Sequence, residues 1–149
     1  MMNLEAKIQK DLIVAMKAKD EKALRAVRAI KSAILLFKTS GTNAELDEDA
    51  EIKMLQKMVK QRKESLYIFE QQGREELAQT EREEIEVIEQ YLPQQLSEEE
   101  IEATIKNIIS ETGASSMKDM GKVMGAANKA FAGRAEGAVI SGIVKRLLA

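Results

Sequence analysis

The chain has 149 residues, enough for one domain or two small packed units, with no cysteine for a disulfide and no histidine to act as a base or metal ligand. Aromatic residues make up only 3% and charged residues 32%, so the core must come from Leu, Ile, Val, Met and Ala, which suits helix packing and argues against a sandwich or barrel. The net charge of −2 supplies no long-range field drawing the whole molecule toward RNA or anionic lipid.

The N-terminus, MMNLEAKIQKDLIVAMK, has no apolar signal core and no small-residue cleavage site. No apolar run approaches the ~18 residues that span a bilayer. A cytoplasmic protein without a membrane partner is therefore expected. Asn3 is the first expected N-cap, and Leu4, Ile8, Leu12, Ala15 and Met16 follow helical spacing behind it. Asp20 caps a second helix with Leu24, Val27, Ile30, Ile34 and Phe37 inward. Thr39, Ser40, Gly41, Thr42 and Asn43 carry the turn chemistry that stops it. Asp47 opens a third helix, acidic in its first turn where the dipole favours acids. Its stripe is Ile52, Leu55, Val59, Leu66 and Phe69, and Gly73 is its C′ residue.

A fourth helix runs to Tyr91, with Leu77, Ile85 and Ile88 inward and Glu81, Glu83 and Glu86 outward. Four amphipathic helices with short connections read as an up-and-down bundle. Over positions 1–96, 16 basic and 18 acidic residues interleave as solvated pairs, and Lys60 to Lys63 reads as a solvated face. Pro93 then breaks the pattern, since a proline disfavours helix at itself and at the residue before it. Ser97 to Glu100 form a capping box, Ile101, Ile105, Ile108 and Ile109 face inward, and Gly113 ends the fifth helix. Ser115 or Ser116 caps a sixth, with Met117, Met120, Val123 and Met124 on its apolar side. Ala132 and Gly133 close it, and a seventh carries Val139, Ile140, Ile143, Val144 and Leu147. The expected fold is all-α, with a four-helix bundle over 1–92 and a three-helix subdomain over 93–149. No repeat period of 20–50 residues is present.

Signatures of chemistry are missing. There is no phosphate-cradling glycine loop, no nucleophile elbow and no acidic calcium loop. Carboxylate pairs such as Glu83 and Glu84 read as solubilising residues on exposed helix faces. No catalytic residue, metal ligand or cofactor is expected. From Gly113 to Ala149, however, six basic residues (Lys118, Lys122, Lys129, Arg134, Lys145 and Arg146) face two acids, Asp119 and Glu136. Lys118, Lys122 and Lys129 recur at helical spacing and form a stripe that either tracks a phosphate backbone or keeps the tail solvated. Gly121 and Gly125 lie one turn apart in the same helix, each costing about 1 kcal/mol against alanine. Close packing of another helix on them is the simpler explanation, and close approach of an RNA backbone is the functional one. The three methionines read as core.

Specific residues carry a family resemblance. Tyr91 to Ser97 (YLPQQLS), Gly113 to Ser115, Asp119 to Met124 (DMGKVM) and Gly133 to Ala135 resemble the GatB/YqeY domain, which forms the C-terminal tail of the GatB component of the glutamyl/aspartyl-tRNA amidotransferase. Lys17 to Asp20, Gln61 to Ser65 and Phe69 to Arg74 resemble the free-standing YqeY proteins, so the likeness runs over nearly the whole chain. Pro93, Gly113, Gly121, Gly125 and Gly133 are its motif positions. Two departures, Glu136 in place of an aspartate and the small run Ala138 to Gly142, fall in the last helix. The resemblance implies an all-α protein whose tail leans on tRNA, with tRNA and an amidotransferase or aminoacyl-tRNA synthetase component as partners. The family's carbon–nitrogen ligase activity with glutamine as amido-N-donor is tied to other domains of the amidotransferase. Three function classes follow: a non-catalytic tRNA-binding accessory module, a protein-interaction adaptor, and, without a base, metal site or nucleotide cradle to support it, a participant in carbon–nitrogen ligation.

Overall fold

The computed structural model describes residues 3–40 and 45–149. Among them all regular structure is helical: α1 (Leu4–Ala18), α2 (Glu21–Lys38), α3 (Glu48–Gln71), α4 (Glu75–Glu89), α5 (Glu98–Thr112), a 3-10 turn (Met117–Asp119), α6 (Met120–Phe131) and α7 (Gly137–Leu148). The stop expected at Gly41, Thr42 and Asn43 lies outside the described residues. Thr39 and Ser40 end α2 by donating their hydroxyls to the carbonyls of Leu35 and Phe37 at 2.9 and 2.8 Å.

The starts of α1, α2, α3 and α5 follow from side-chain chemistry. Asn3, Asp20 and Asp47 accept from the amides of Ala6, Ala23 and Ala50 at 2.8, 3.2 and 2.8 Å. Ser97 accepts from Glu100 N while the Glu100 carboxylate accepts from Ser97 N, both at 3.2 Å, which completes the capping box. Each such cap contributes about 1 kcal/mol by satisfying amides that the helix itself leaves orphaned. Between α1 and α2 the turn is so short that Lys19 adopts φ 55, a left-handed conformation that glycine usually takes. The amide of Asp20 reaches back to the Ala15 carbonyl at 3.0 Å, and the same residue caps the next helix.

The chain divides into two compact units, the first ending at Leu92 and the second running Pro93–Ala149. In the first, α1 packs on α2, α2 on α4, and α4 on α3. Leu4, Ile8, Val27, Ile30, Leu55 and Ile88 build its core. In the second, α5, α6 and α7 each pack on the other two, around Ile101, Ile105, Val123, Phe131, Ile140 and Val144. Phe131, a lone aromatic at 1% exposure, is the largest fully buried side chain there. Truncation to alanine would cost about 3–5 kcal/mol.

Three expected inward residues point out, and one of them, Met117, is 45% exposed in the 3-10 turn rather than packed on the core like Met120 and Met124. Met16 and Leu77 are 55% and 43% exposed, while Ala78 is fully buried. Neighbouring helical positions differ by only 100°, so where an apolar residue borders the stripe, the packing partner rather than the pattern selects which one is buried. The charged residues of α4 depart further from expectation. Glu83 and Glu84 are not a solvated pair: their side chains are 17% and 16% exposed. Glu83 accepts from Arg25 at 2.8 Å and pairs with Lys22 at 3.4 Å, both on α2. Glu84 faces the other way, 3.8 Å from Arg62 on α3. Arg62 also donates to the Met58 carbonyl at 3.2 Å, so it leaves the basic run read as a solvated face, while Lys60 and Lys63 remain exposed.

These surroundings shift two carboxyls in opposite directions. The hydrogen bond from Arg25 holds Glu83 below the ordinary carboxylate range. Burial, reinforced by the charge of Glu84, pushes Glu81 above it. A lowered pKa contributes stability that is present above the unfolded value and lost as pH falls through the folded one; a raised carboxyl pKa does the opposite. Glu83→Gln should therefore lower the urea midpoint at pH 7, with the difference vanishing toward pH 3. Glu81→Gln should raise the midpoint at pH 7 and lose that advantage as pH falls through the ordinary carboxylate range.

Candidate nucleic-acid interface

The basic tail is assembled by the helix ends of the second unit. Gly113, at φ +71, ends α5, and Ser115 N then donates to the Asp119 carboxylate at 2.9 Å. Ser116 caps the 3-10 turn through the Lys118 amide at 3.4 Å. The serines thus serve this turn rather than α6 itself. Lys118 consequently sits in the turn before α6, and only Lys122 and Lys129 lie on the helix proper.

Val123, Ala127 and Phe131 give α6 its buried face. Gly121, Lys122, Gly125 and Lys129 fall on the opposite side by helical spacing, and all four are exposed. A Cβ built on Gly121 or Gly125 meets no heavy atom within 4 Å. Helix-on-helix packing therefore does not explain these glycines, contrary to the simpler expectation. They leave a stretch of open backbone flanked by lysines.

The six basic residues do different things. The side chains of Lys118, Lys129 and Lys145 are exposed and bond to no other side chain or carbonyl among the described residues. Lys122 donates to the carbonyl of Thr112 at 3.1 Å, a cation on the negative end of α5. Arg134 donates through Nε to the Gln94 carbonyl at 3.3 Å, and its own carbonyl accepts from Leu96 N at 2.9 Å. Gln95 adds amide donations to the carbonyls of Pro93 and Gly133 at 2.9 and 2.8 Å. The Pro93 to Leu96 segment is thereby fastened to the turn where Gly133 adopts φ +81. A shallow pocket of about 310 Å³ lies beside it, between Gln94, Glu100, Thr104 and Arg134.

Arg146 forks onto Glu102 of α5, with nitrogens 3.3 and 3.2 Å from its two oxygens, and Lys106 adds a contact at 3.5 Å. The hydrogen bond and charge of Arg146 hold the Glu102 carboxyl below its ordinary range. Counting charge from Gly113 onward omitted this partner, because Glu102 is distant in sequence and adjacent only in the fold. What remains unengaged is Lys118, Lys129 and Lys145, with Lys122 beside the open glycines. Among the described residues no group of three or more acids could hold a metal ion, and no helix is long and apolar enough to cross a membrane.

These features define a small all-α protein that presents a lysine–glycine surface on its second unit. The profile of the Yqey-like protein family matches residues 5–148, and the chain belongs to that family. It is similar to the protein named Altered inheritance of mitochondria protein 41, mitochondrial, in three yeasts. Identity is 36% over 108 residues in Lachancea thermotolerans (71% of this chain, 58% of that protein). It is 32% over 109 residues in Kluyveromyces lactis, with the same coverage, and 35% over 118 residues in Clavispora lusitaniae (74% and 65%). The chain thus spans about 58% of the length of the first two relatives. Their names overturn the expected cytoplasmic location, since all three are mitochondrial proteins. The missing apolar core that prompted that expectation bears only on secretion, because mitochondrial transit peptides are amphipathic instead.

Open space and helical geometry at the two glycines set a direct stability test. Gly125→Ala should raise stability by about 0.5–1 kcal/mol, and Gly121→Ala, in the first turn, by less, measured by chemical denaturation. Destabilisation by either would mean that the backbone face is packed after all.

Proposed function

We propose that the chain is a non-catalytic tRNA-binding accessory module that contacts the RNA backbone through the face of α6. In this reading the four helices before Pro93 and the three after it act as separate subdomains, the second of them facing RNA. The observation that carries the proposal is the pair of exposed glycines on α6, Gly121 in its first turn and Gly125 in its middle, beside Lys122 and Lys129. Gly125 costs helix stability, and no packing contact compensates at either position. An open helix backbone between cations admits a phosphodiester chain closely, with Lys118, Lys129 and Lys145 free to neutralise it. The resemblance to the tail of the amidotransferase's GatB component points the same way.

Readout on this face is by shape and charge, because the unit's one phenylalanine, Phe131, is buried and leaves no ring on which bases could stack. Arg134 and Arg146 serve mainly to hold the unit together, and Lys122 divides its role between the α5 terminus and the ligand. A second reading, docking on an amidotransferase or synthetase component, is favoured by the 45% exposure of Met117 beside the same lysines. An adaptable thioether suits a protein partner. The carbon–nitrogen ligase association would then belong to the assembled partner.

Fluorescence anisotropy against total tRNA at several salt concentrations tests the first reading. Log affinity should fall linearly with log salt, with a slope equivalent to roughly three to six phosphate contacts. Lys118→Glu with Lys129→Glu should reduce affinity and flatten that slope without unfolding the protein, since neither side chain carries a structural bond. Gly125→Ala should weaken tRNA binding while stabilising the fold. Absence of binding at low salt, or affinity indifferent to all three substitutions, removes the proposal and leaves protein docking.

A further inference from the structure

The nearly balanced charge of residues 1–96 conceals a segregation that the helix pairing brings out. The described residues 3–40, which form the α1–α2 pair, hold nine basic and four acidic residues, a net of +5. Residues 45–92, the α3–α4 pair, hold seven basic and fourteen acidic, a net of −7.

The acids of the basic pair are mostly occupied. Glu5 pairs with Lys38, Asp11 accepts from the Tyr91 hydroxyl, and Asp20 caps α2. The cations are not. Lys10 and Lys17 on α1, and Arg28 and Lys31 on α2, are exposed and bonded to no other group among the described residues. On α1, Lys10, Ile13 and Lys17 recur at spacings of three and four, so an aliphatic side chain stands between two lysines. Ile13 is 46% exposed, Met16 on its flank 55%, and Leu35 on α2 63%. A groove of about 380 Å³ separates the helices, with Ile8 and Ile34 beneath it and Arg28, Lys31 and Leu35 along one side.

We propose that this face of α1–α2 is a peripheral docking surface for an anionic lipid bilayer. Its free cations lie against lipid phosphates, and Ile13, Met16 and Leu35 enter the boundary between headgroups and acyl chains. The mixture of groups selects the partner. A phosphate backbone would satisfy the cations but has nothing to offer the aliphatic side chains, and no aromatic ring is exposed on α1 or α2 for stacking bases. A partner helix needs a row of anchor pockets. Here the apolar residues stand on the ridges, and the groove is crossed at one end by the Glu5–Lys38 ion pair. A bilayer accepts protruding aliphatic side chains and diffuse positive charge without demanding matched pockets. The net charge of −2 does not oppose it, because charges beyond a Debye length of about 8 Å are largely screened at physiological salt.

Vesicle flotation with nuclease-treated protein tests this. The protein should float with phosphatidylcholine vesicles containing roughly 30% phosphatidylglycerol and stay behind with pure phosphatidylcholine. Lys10→Glu with Lys17→Glu should reduce partitioning about tenfold or more. Ile13→Ser with Leu35→Ser should reduce it severalfold at unchanged charge; all four sites are exposed, so helix content by circular dichroism should hold. No flotation at low salt overturns the proposal, as does flotation indifferent to the serine variants. If the same substitutions abolish tRNA binding instead, the face is an RNA surface. If they abolish a salt-sensitive self-association, it meets the acidic pair of a second copy. This face is separate from the α6 lysines, so its failure leaves the tRNA reading standing.

Discussion

Two consecutive carboxylates organise the first unit. Glu83 and Glu84 project about 100° apart from α4, one to Arg25 and Lys22 of α2, the other to Arg62 of α3. The helix that follows α3 in sequence is thereby placed between α3 and α2. Aliphatic side chains supply the burial, but they are interchangeable in direction. The Glu84–Arg62 pair is not, because both side chains are largely withdrawn from water, where a charge without its partner is costly. Arg62 shows how closely the arrangement is set: its Nε is buried, 3.8 Å from Glu84 and without a hydrogen bond of its own. Glu81, next to this pair, is the member that the site tolerates least in its charged form.

The second unit relies on a different device. Its core is small, and its ends are tied by the Leu96 amide bonding to the Arg134 carbonyl and the Gln95 side-chain amide bonding to the Gly133 carbonyl, with Arg146 linking α7 to α5. Half of the basic residues in this tail therefore hold it together. The remaining cations and the two open glycines are the part of α6 that folding does not use. A helix kept less stable than alanine would make it, without a packing reason, is where a binding function is best sought. Across the molecule, charges that bind the fold and charges that remain available are distinguished only by what lies within a few ångströms of them.

Local features were the most legible from sequence. Asn3, Asp20, Asp47 and Ser97 all cap as their side chains dictate, and Gly73, Gly113 and Gly133 take the positive φ that suits them. Candidate-site residues were legible as cations but not in their roles. Thr112 and Glu102, which engage Lys122 and Arg146, are ten and 44 residues away. The segregation between helix pairs was also present in the sequence, but a count taken across all four helices averaged it to near zero.

The sequence by itself determined an all-α protein, the starts of α1, α2, α3 and α5, the glycine stops of α3 and α5, and most of its buried stripes. Those depend on interactions within a turn or two of each residue, where hydrogen-bonding chemistry and a helical period of about 3.6 residues are decisive. Only the tertiary structure decided that Glu83 and Glu84 are internal clamps, that Leu77 faces water while Ala78 is buried, and that Gly121 and Gly125 stand open. Each of these is set by which other helix lies opposite, and no local pattern encodes that distance.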